Sequence, residues 1–346
     1  MSKRRTFSWL TGLALGALLL GAVAGPATAG AKANKVTKIG IATPEKAVDY
    51  GWNQQGVAGA RAAAAYAGAT LIVQDGIGYD NVEPVLNRLA RDGANFIIAQ
   101  ASGYNTIAPR VAARFNVPVI TYDSPHDLKK GLVADIETSS QQGAYLAGVL
   151  AAKTTKTGTV AVVISAADTN WFKQTGGFIT GARSIKPKIK VLFEEIGQAA
   201  YDDAAGGKRV ASDVIAAGAD VVFGNGDGSS FGYLQAVETA KVGHKVWFID
   251  VIGDKTPIDK HHVLLSSVLW DFRPIFKKAV DDINNGTFGT HNYNLNASTG
   301  ISLLKTPYIA PAVWALIEKD RAAISAGTIK IPLTPTEAQV KALLNK

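Results

Sequence analysis

Within five residues, Asp49-Tyr50-Gly51-Trp52-Asn53 sets an acid, a large indole and a carboxamide side by side. A flat polar molecule needs that mixture: a π-face to stack on and hydrogen bonds at its edge. A phosphate cradle would be mostly glycine with a lysine. Similar groups recur along the chain, in Ser102-Gly103-Tyr104, Asp123, Trp171-Phe172, Tyr201-Asp202, Asn225 and Asp227, Asp250 or Asp254, and Trp270. Taken singly, each reads as a loop residue packed on its own domain. Their recurrence at the ends of strand-like segments selects Asp49, Trp52, Asn53, Tyr104, Asp123, Trp171, Phe172, Asn225, Asp227, Asp250 and Trp270 as candidate ligand-binding residues, because open α/β sheets bind ligands outside the carboxyl ends of their strands.

Signals for catalysis are poor. None of His126, His244, His261, His262 and His291 stands in a metal-ligand spacing, and the His261-His262 pair beside Asp259 and Lys260 reads as a solvated turn. There is no G-x-S-x-G elbow and no G-x-x-x-x-G-K-[ST] loop. Gly224-Asn225-Gly226-Asp227-Gly228 invites a dinucleotide reading, but Ser229 stands where the third glycine should be. The stretch reads instead as a polar rim with Asn225 and Asp227 facing a cleft. No cofactor and no metal is expected.

The elements that would position these residues alternate strand and helix throughout, the pattern of a parallel sheet with crossover helices. Val36–Ile41, Thr70–Val73, Phe96–Ala99, Val117–Tyr122 and Gly131–Ile136 form one set, and Thr159–Ile164, Lys190–Glu195, Asp220–Phe223 and Lys245–Ile249 a second. Two doubly wound units in tandem predict two Rossmann-like lobes joined by a hinge of three crossings. The expected division is 35–136 plus about 257–290 for lobe one, and 137–256 plus about 291–346 for lobe two. In it Val263–Leu269 and Arg273–Asn285 return to the first lobe and Ile301–Leu304 crosses again.

Ahead of the first strand, Lys3, Arg4 and Arg5 precede an apolar run from Leu10 to Val23, and Ala27-Thr28-Ala29 offers an A-x-A cleavage site. Residues 1–29 are expected to be a signal peptide, of Sec type or, given Arg4-Arg5-Thr6-Phe7, of twin-arginine type. The chain has no cysteine. A disulfide framework is therefore impossible, and so is a lipobox anchor after the leader. A free periplasmic or secreted monomer is expected. The formal charge of +8 falls to about +5 without the leader and is spread along the chain, so a nucleic-acid surface is not indicated.

Four blocks, in order, give the chain a family resemblance. Asp49-Tyr50-Gly51-Trp52-Asn53 resembles an Asp-x-[Ser/Gly]-aromatic-Asn pattern, and Gln142-Gly143-Ala144-Tyr145-Leu146-Ala147-Gly148 resembles the helix after the first crossover. Gly177-Phe178-Ile179-Thr180-Gly181-Ala182 and Gly218-Ala219-Asp220-Val221-Val222-Phe223 match two later blocks. Across nearly the whole mature length, the sequence resembles the basic membrane protein (BMP) family of substrate-binding proteins, receptors of ABC importers with a periplasmic binding protein type I-like fold. The resemblance implies a purine nucleoside as ligand, with Trp52 stacking on the base and Asn53 and Asp123 at its edge. It departs in the ribose block, which reads Asp250-Val251-Ile252-Gly253-Asp254-Lys255, and at a later lysine position, here Trp270. These departures place the chain in a Trp-rich branch.

The leading expectation is thus an exported receptor that closes on a small polar heterocycle, a nucleoside or nucleobase, and hands it to a membrane ABC permease. A sugar receptor would use Trp52, Trp171 and Trp270 equally well. A ligand-sensing domain would look the same in sequence. An exported enzyme would need Asp49 or Asp227 as base, but the chain shows no nucleophile, metal or base–nucleophile pair to go with it.

Overall fold

The computed structural model describes residues 35–346. The expected leader, 1–29, lies outside the described residues. Among the described residues no helix is long and apolar enough to cross a membrane.

The first sheet takes β1 (Lys38–Ala42), β2 (Thr70–Gln74), β3 (Phe96–Ala99), β4 (Val119–Tyr122) and β5 (Val133–Thr138), with helices α1 (Trp52–Ala67), α2 (Val82–Arg91) and α3 (Ala108–Phe115) between them. β3 and β4 are buried at every position, as interior strands of a parallel sheet covered on both faces should be. Val82, Val85, Leu86 and Leu89 form the buried stripe of α2.

The chain then crosses into α4 (Ser140–Thr154), β6 (Thr159–Ile164), α5 (Thr169–Ile185), β7 (Lys190–Glu195), α6 (Ala204–Ala216), β8 (Val221–Asn225), α7 (Ser230–Glu238) and β9 (Trp247–Ile252). α4 and α5 pack backbone on backbone. A Cβ at Gly148 would stand 2.1 Å from the Phe178 carbonyl oxygen, and one at Gly181 would stand 2.0 Å from that of Tyr145. The two blocks on α4 and α5, 142–148 and 177–182, therefore meet in a helix–helix contact that admits no side chain at Gly148, Gly177 or Gly181.

β10 (Leu264–Trp270) departs from expectation. The sequence assigns this run, within about 257–290, to lobe one, yet it pairs parallel with β9 in the second sheet. An apolar interior strand looks the same in either sheet, and the connection from β9, residues 253–263, holds one 3₁₀ turn and no α-helix. The return to lobe one comes after Trp270, with α8 (Arg273–Asn285) packing on α1. Part of the second boundary also shifts: β11 (Tyr293–Leu295), expected in lobe two within 291–346, pairs parallel with β5 in the first sheet. β12 (Ile301–Leu303) crosses back and pairs antiparallel with β10. α9 (Pro311–Ser325) and α10 (Glu337–Leu344) then pack on α4 and α5.

The two sheets share one order, β2-β1-β3-β4-β5-β11 and β7-β6-β8-β9-β10-β12. In each, the chain reverses its direction of winding between the first strand and the third, at β1/β3 and β6/β8. Crevices at such switch points are where doubly wound sheets hold ligands.

Candidate functional site

Residues just beyond the strands of both sheets meet around one cavity, which with its mouth holds about 530 Å³ of open space. Lobe one supplies Glu45 after β1, Trp52 at the start of α1, Tyr79 after β2, Ser102 after β3 and Asp123 after β4. Lobe two supplies Asp168, Asn170 and Trp171 after β6, Tyr201 after β7, Asp227 after β8, Ile252 at the end of β9 and Trp270 at the end of β10.

The lobes touch across this cavity. Trp52 N donates to Asp227 Oδ1 at 3.2 Å, and Asn170 Nδ2 donates to Asp123 Oδ2 at 3.1 Å. The Lys255 ammonium donates to the Tyr50 carbonyl at 3.2 Å. The indoles of Trp52 and Trp270 meet edge to face with centroids 6.0 Å apart. The structure is of the closed form.

Of the candidates read from sequence, Trp52, Asp123, Trp171, Asp227 and Trp270 line the cavity. Trp52 is half-buried, donates from Nε1 to the Gln100 carbonyl at 2.7 Å and packs edge-on to Tyr122 and Phe272. It is at once a wall of the site and part of an aromatic cluster. Trp171 is held by a bond from Nε1 to Ser165 Oγ at 2.9 Å.

The other candidates stand behind the wall. Asp49 is buried and caps α1, accepting from the backbone N–H of Gly51, Asn53 and Gln54 at 2.9–3.0 Å and from Asn53 Nδ2 at 2.8 Å. These N–H groups have no partner within the helix, and the side chain is too short to serve both them and a ligand. Asn53 is fully buried and holds Glu45, through Nδ2 to Oε2 at 3.0 Å, so it positions a cavity carboxylate in place of touching the cavity itself. Tyr104 is turned into the core by a single 3₁₀ turn and donates to the Gly78 carbonyl at 2.7 Å. Phe172 is core. Asp250 is fully buried, ion-paired with Lys255 and bonded by Ser230 Oγ at 2.9 Å. Asn225 is fully buried at the end of β8, and its amide atoms find no partner.

Glu45, Tyr79, Ser102, Asp168, Asn170 and Tyr201 lie outside the candidates selected from sequence. Glu45 comes immediately after Thr43-Pro44 at the end of β1, where the aromatic run beyond it is the stronger signal. Tyr79 lies beyond an edge strand, β2, whose end carries no comparable cluster. Asp168 is the N-cap of α5, accepting from Asn170 N at 2.7 Å, and its other oxygen accepts from the Tyr201 hydroxyl at 3.1 Å.

Four carboxyl groups line the site, and burial shifts three of them toward their protonated forms. Burial raises the Glu45 carboxyl above its ordinary value, against the bond from Asn53. Burial lifts Asp123 to about 6, partly offset by the charge of Lys173. Burial, with Asp49 and Glu45 nearby, pushes Asp227 well above the carboxylate range. Burial also raises the phenols of Tyr79 and Tyr201, which therefore remain hydroxyl donors at neutral pH. Carboxyl acceptors, hydroxyl donors and five aromatic rings can grip a planar polar solute. No group of three or more metal-ligating side chains is found among the described residues.

Residues 36–306 match the family model described as Bmp, ABC transporter substrate-binding protein PnrA-like. A nucleoside-binding protein of an ABC transporter, BmpA from Lactococcus lactis, is 28% identical over 208 residues, 56% of this chain and 58% of that one. Basic membrane protein A1 of Borrelia garinii is 27% identical over half of each chain. The chain thus spans little more than half the length of these curated relatives. Among solved structures, an ABC transporter solute-binding protein from Aeropyrum pernix superposes with a TM-score of 0.75 at 19% identity, over 89% of this chain and 98% of that one. Another, from Conexibacter woesei, gives 0.73 at 19% identity over 87% and 100%. At such identities the likeness establishes the two-lobed fold alone.

Proposed function

We propose that this chain, which belongs to the Bmp family of PnrA-like ABC transporter substrate-binding proteins, is an extracytoplasmic receptor that closes on a small polar heterocycle of the nucleoside or nucleobase class and delivers it to an ABC permease. One observation carries the reading: carboxylates and indoles from the strand ends of both sheets meet around one cavity. Neither lobe alone surrounds a ring, so a solute touching both favours the closed state by its differential contacts. The name of the Lactococcus lactis relative supports the nucleoside class. Trp52 and Trp171, on opposite lobes, are the stacking faces, while Asp123 and Asp227 accept hydrogen bonds from the ring edge.

Calorimetry of the mature protein with nucleosides, nucleobases and pentoses tests the reading, with solution scattering alongside. One-to-one binding of a nucleoside or base, a smaller radius of gyration and no product are expected. Heat from pentoses alone would replace the heterocycle with a sugar. Accumulating product would make the protein an enzyme.

A further inference from the structure

Four carboxyl groups, Glu45, Asp123, Asp168 and Asp227, line the cavity, and among the described residues no lysine, arginine or histidine lines it. The ammonium groups whose charge reaches these carboxyls, Lys255 at Asp227 and Lys173 at Asp123, are no substitute. Lys255 is spent on Asp250 and on the Tyr50 carbonyl, behind the wall. Lys173 acts on Asp123 only through its charge and is not part of the wall. A neutral base edge is matched by one or two acceptors, whereas four carboxyls in a closed space repel one another unless protons or a cation neutralise them. Trp52, Trp171 and Trp270 complete the wall, and an aromatic ring beside carboxylates adds to the attraction for a cation that reaches its face. Three buried polar atoms of the wall have no partner among the described residues: Asp123 Oδ1, which if ionised is answered by a donor or a positive charge, Asn170 Oδ1, which is answered by a donor, and Trp270 Nε1, which asks for an acceptor.

Resting on the receptor reading above, we propose that the solute is a planar cation: a ring bearing an amidinium, guanidinium or protonated amino group toward Glu45, Asp123 and Asp227, with one acceptor placed for Trp270 Nε1. Its charge neutralises the cavity on closure, and neutral solutes of the same shape bind more weakly. Binding is then linked to protons. Glu45 faces Asp49 and Asp202, Asp123 faces Lys173, Asp168 and Glu137, and Asp227 faces Asp49, Glu45 and Lys255, with the phenols of Tyr79 and Tyr201 close by. A bound cation favours the ionised carboxylates, so its affinity rises as pH rises through about 6.

The test uses three probes of one shape: benzamidine, a planar cation; benzamide, its neutral isostere; and benzoate, the anion. Calorimetry near neutral pH should give benzamidine about tenfold tighter than benzamide and no heat from benzoate. Its affinity should weaken on acidification while that of benzamide does not. Glu45→Gln and Asp227→Asn should each shrink the benzamidine-to-benzamide ratio several-fold, and thermal melting would show whether either variant has lost its fold. Benzamide binding as tightly as benzamidine, no benzamidine binding at millimolar concentration, or an unchanged ratio in two folded variants would each overturn the cation. If neutral nucleosides bind tightly while benzamidine does not, the cation fails and the receptor reading stands. If no nucleoside, base, pentose or probe binds, both fail.

Discussion

The two faces of the cleft are built differently. On lobe one, the loop after β1 satisfies itself: Asp49 takes three backbone N–H groups of its own loop, Asn53 pins Glu45, and Gln100 pins the Trp52 indole. On lobe two, two groups beside the cavity reach across the gap, although Lys255 is also ion-paired with Asp250 inside its own lobe. Asp227 accepts from Trp52 N, Lys255 donates to the Tyr50 carbonyl, and Gly253 lies directly beneath that carbonyl. Lobe one is therefore a preorganised half-site, whose groups are held whether or not the cleft is shut. Lobe two completes the site by moving. Variants on the first face should cost stability and binding together, and variants on the second should cost closure while leaving each lobe intact.

The sharpest attempt to break this distinction is Gly253→Ala. A Cβ there would stand 1.9 Å from the Tyr50 oxygen, a contact made only when the lobes are shut. The methyl is a wedge: it props the cleft open without disturbing the second lobe's core. Affinity for any solute that needs both lobes should fall about a hundredfold, roughly 3 kcal/mol. Scattering should report a larger radius of gyration with the melting temperature little changed. A normal affinity would show that closure tolerates the wedge and that the second face is not set by this contact.

Trp52→Ala comes next and should behave as a first-face variant. By analogy with base–aromatic stacking elsewhere, loss of the platform should weaken binding by about 1–3 kcal/mol. The indole also packs on Tyr122 and Phe272, so stability should fall as well. A loss of about 2 kcal/mol is expected, less than for a fully buried aromatic because this indole is only half-buried. Denaturant midpoints and calorimetry on the same sample separate the two. Affinity lost with stability unchanged would make Trp52 a pure loop platform, as its neighbours Gly51 and Asn53 suggest from sequence.

Much of this architecture is legible in the residues, and where it is not there is a physical reason. Strand ends mark the cavity well: Trp52, Asp123, Trp171, Asp227 and Trp270 all lie at or just beyond the end of a strand, and parallel strands point their carboxyl ends at one crevice. The rule does not say which way a side chain turns. Asp49 and Asn53 belong to the right loop but face inward, since the unpaired N–H groups at the start of α1 compete for them and win. Tyr104 comes after β3 but enters the core through one tight turn. β10 illustrates a different limit. Its largely apolar run specifies an interior strand, while membership of a sheet depends on contacts distant in sequence.

Asp49→Ala tests the preorganised face at its foundation. Removing the carboxylate leaves the first N–H groups of α1 without their acceptor, in a place where water has little access. Loss of such a cap costs about 1–2 kcal/mol of stability. Affinity should fall by less, through loosening of Asn53 and hence Glu45. Asp49→Asn, which keeps one acceptor oxygen, should recover part of the stability. A variant as stable as the parent but unable to bind would reverse the assignment and move Asp49 into the cavity wall.

The smallest expected effect is a pH slope. Asp123 carries a carboxyl raised to about 6, chiefly by burial. The unfolded chain releases that proton near the ordinary value of about 4. Between these limits the folded state binds more protons than the unfolded one, so Asp123 makes stability fall as pH rises through the window and adds no further slope above it. Asp123→Asn removes the titration. The amide oxygen can still accept from Asn170 Nδ2, so the contact between lobes is kept, while the favourable charge of Lys173 is lost. Urea midpoints of the unliganded protein should therefore decline less steeply from pH about 4 to about 6 in the variant, and at neutral pH the variant should be the more stable. Asp135, raised to about 7 by burial beside Glu137, supplies a remaining slope that both proteins share. Identical slopes in parent and variant would mean that Asp123 titrates near its ordinary value. The carboxyl would then be as well solvated as one on an open face, and the closed cavity would not be the resting state of the unliganded receptor.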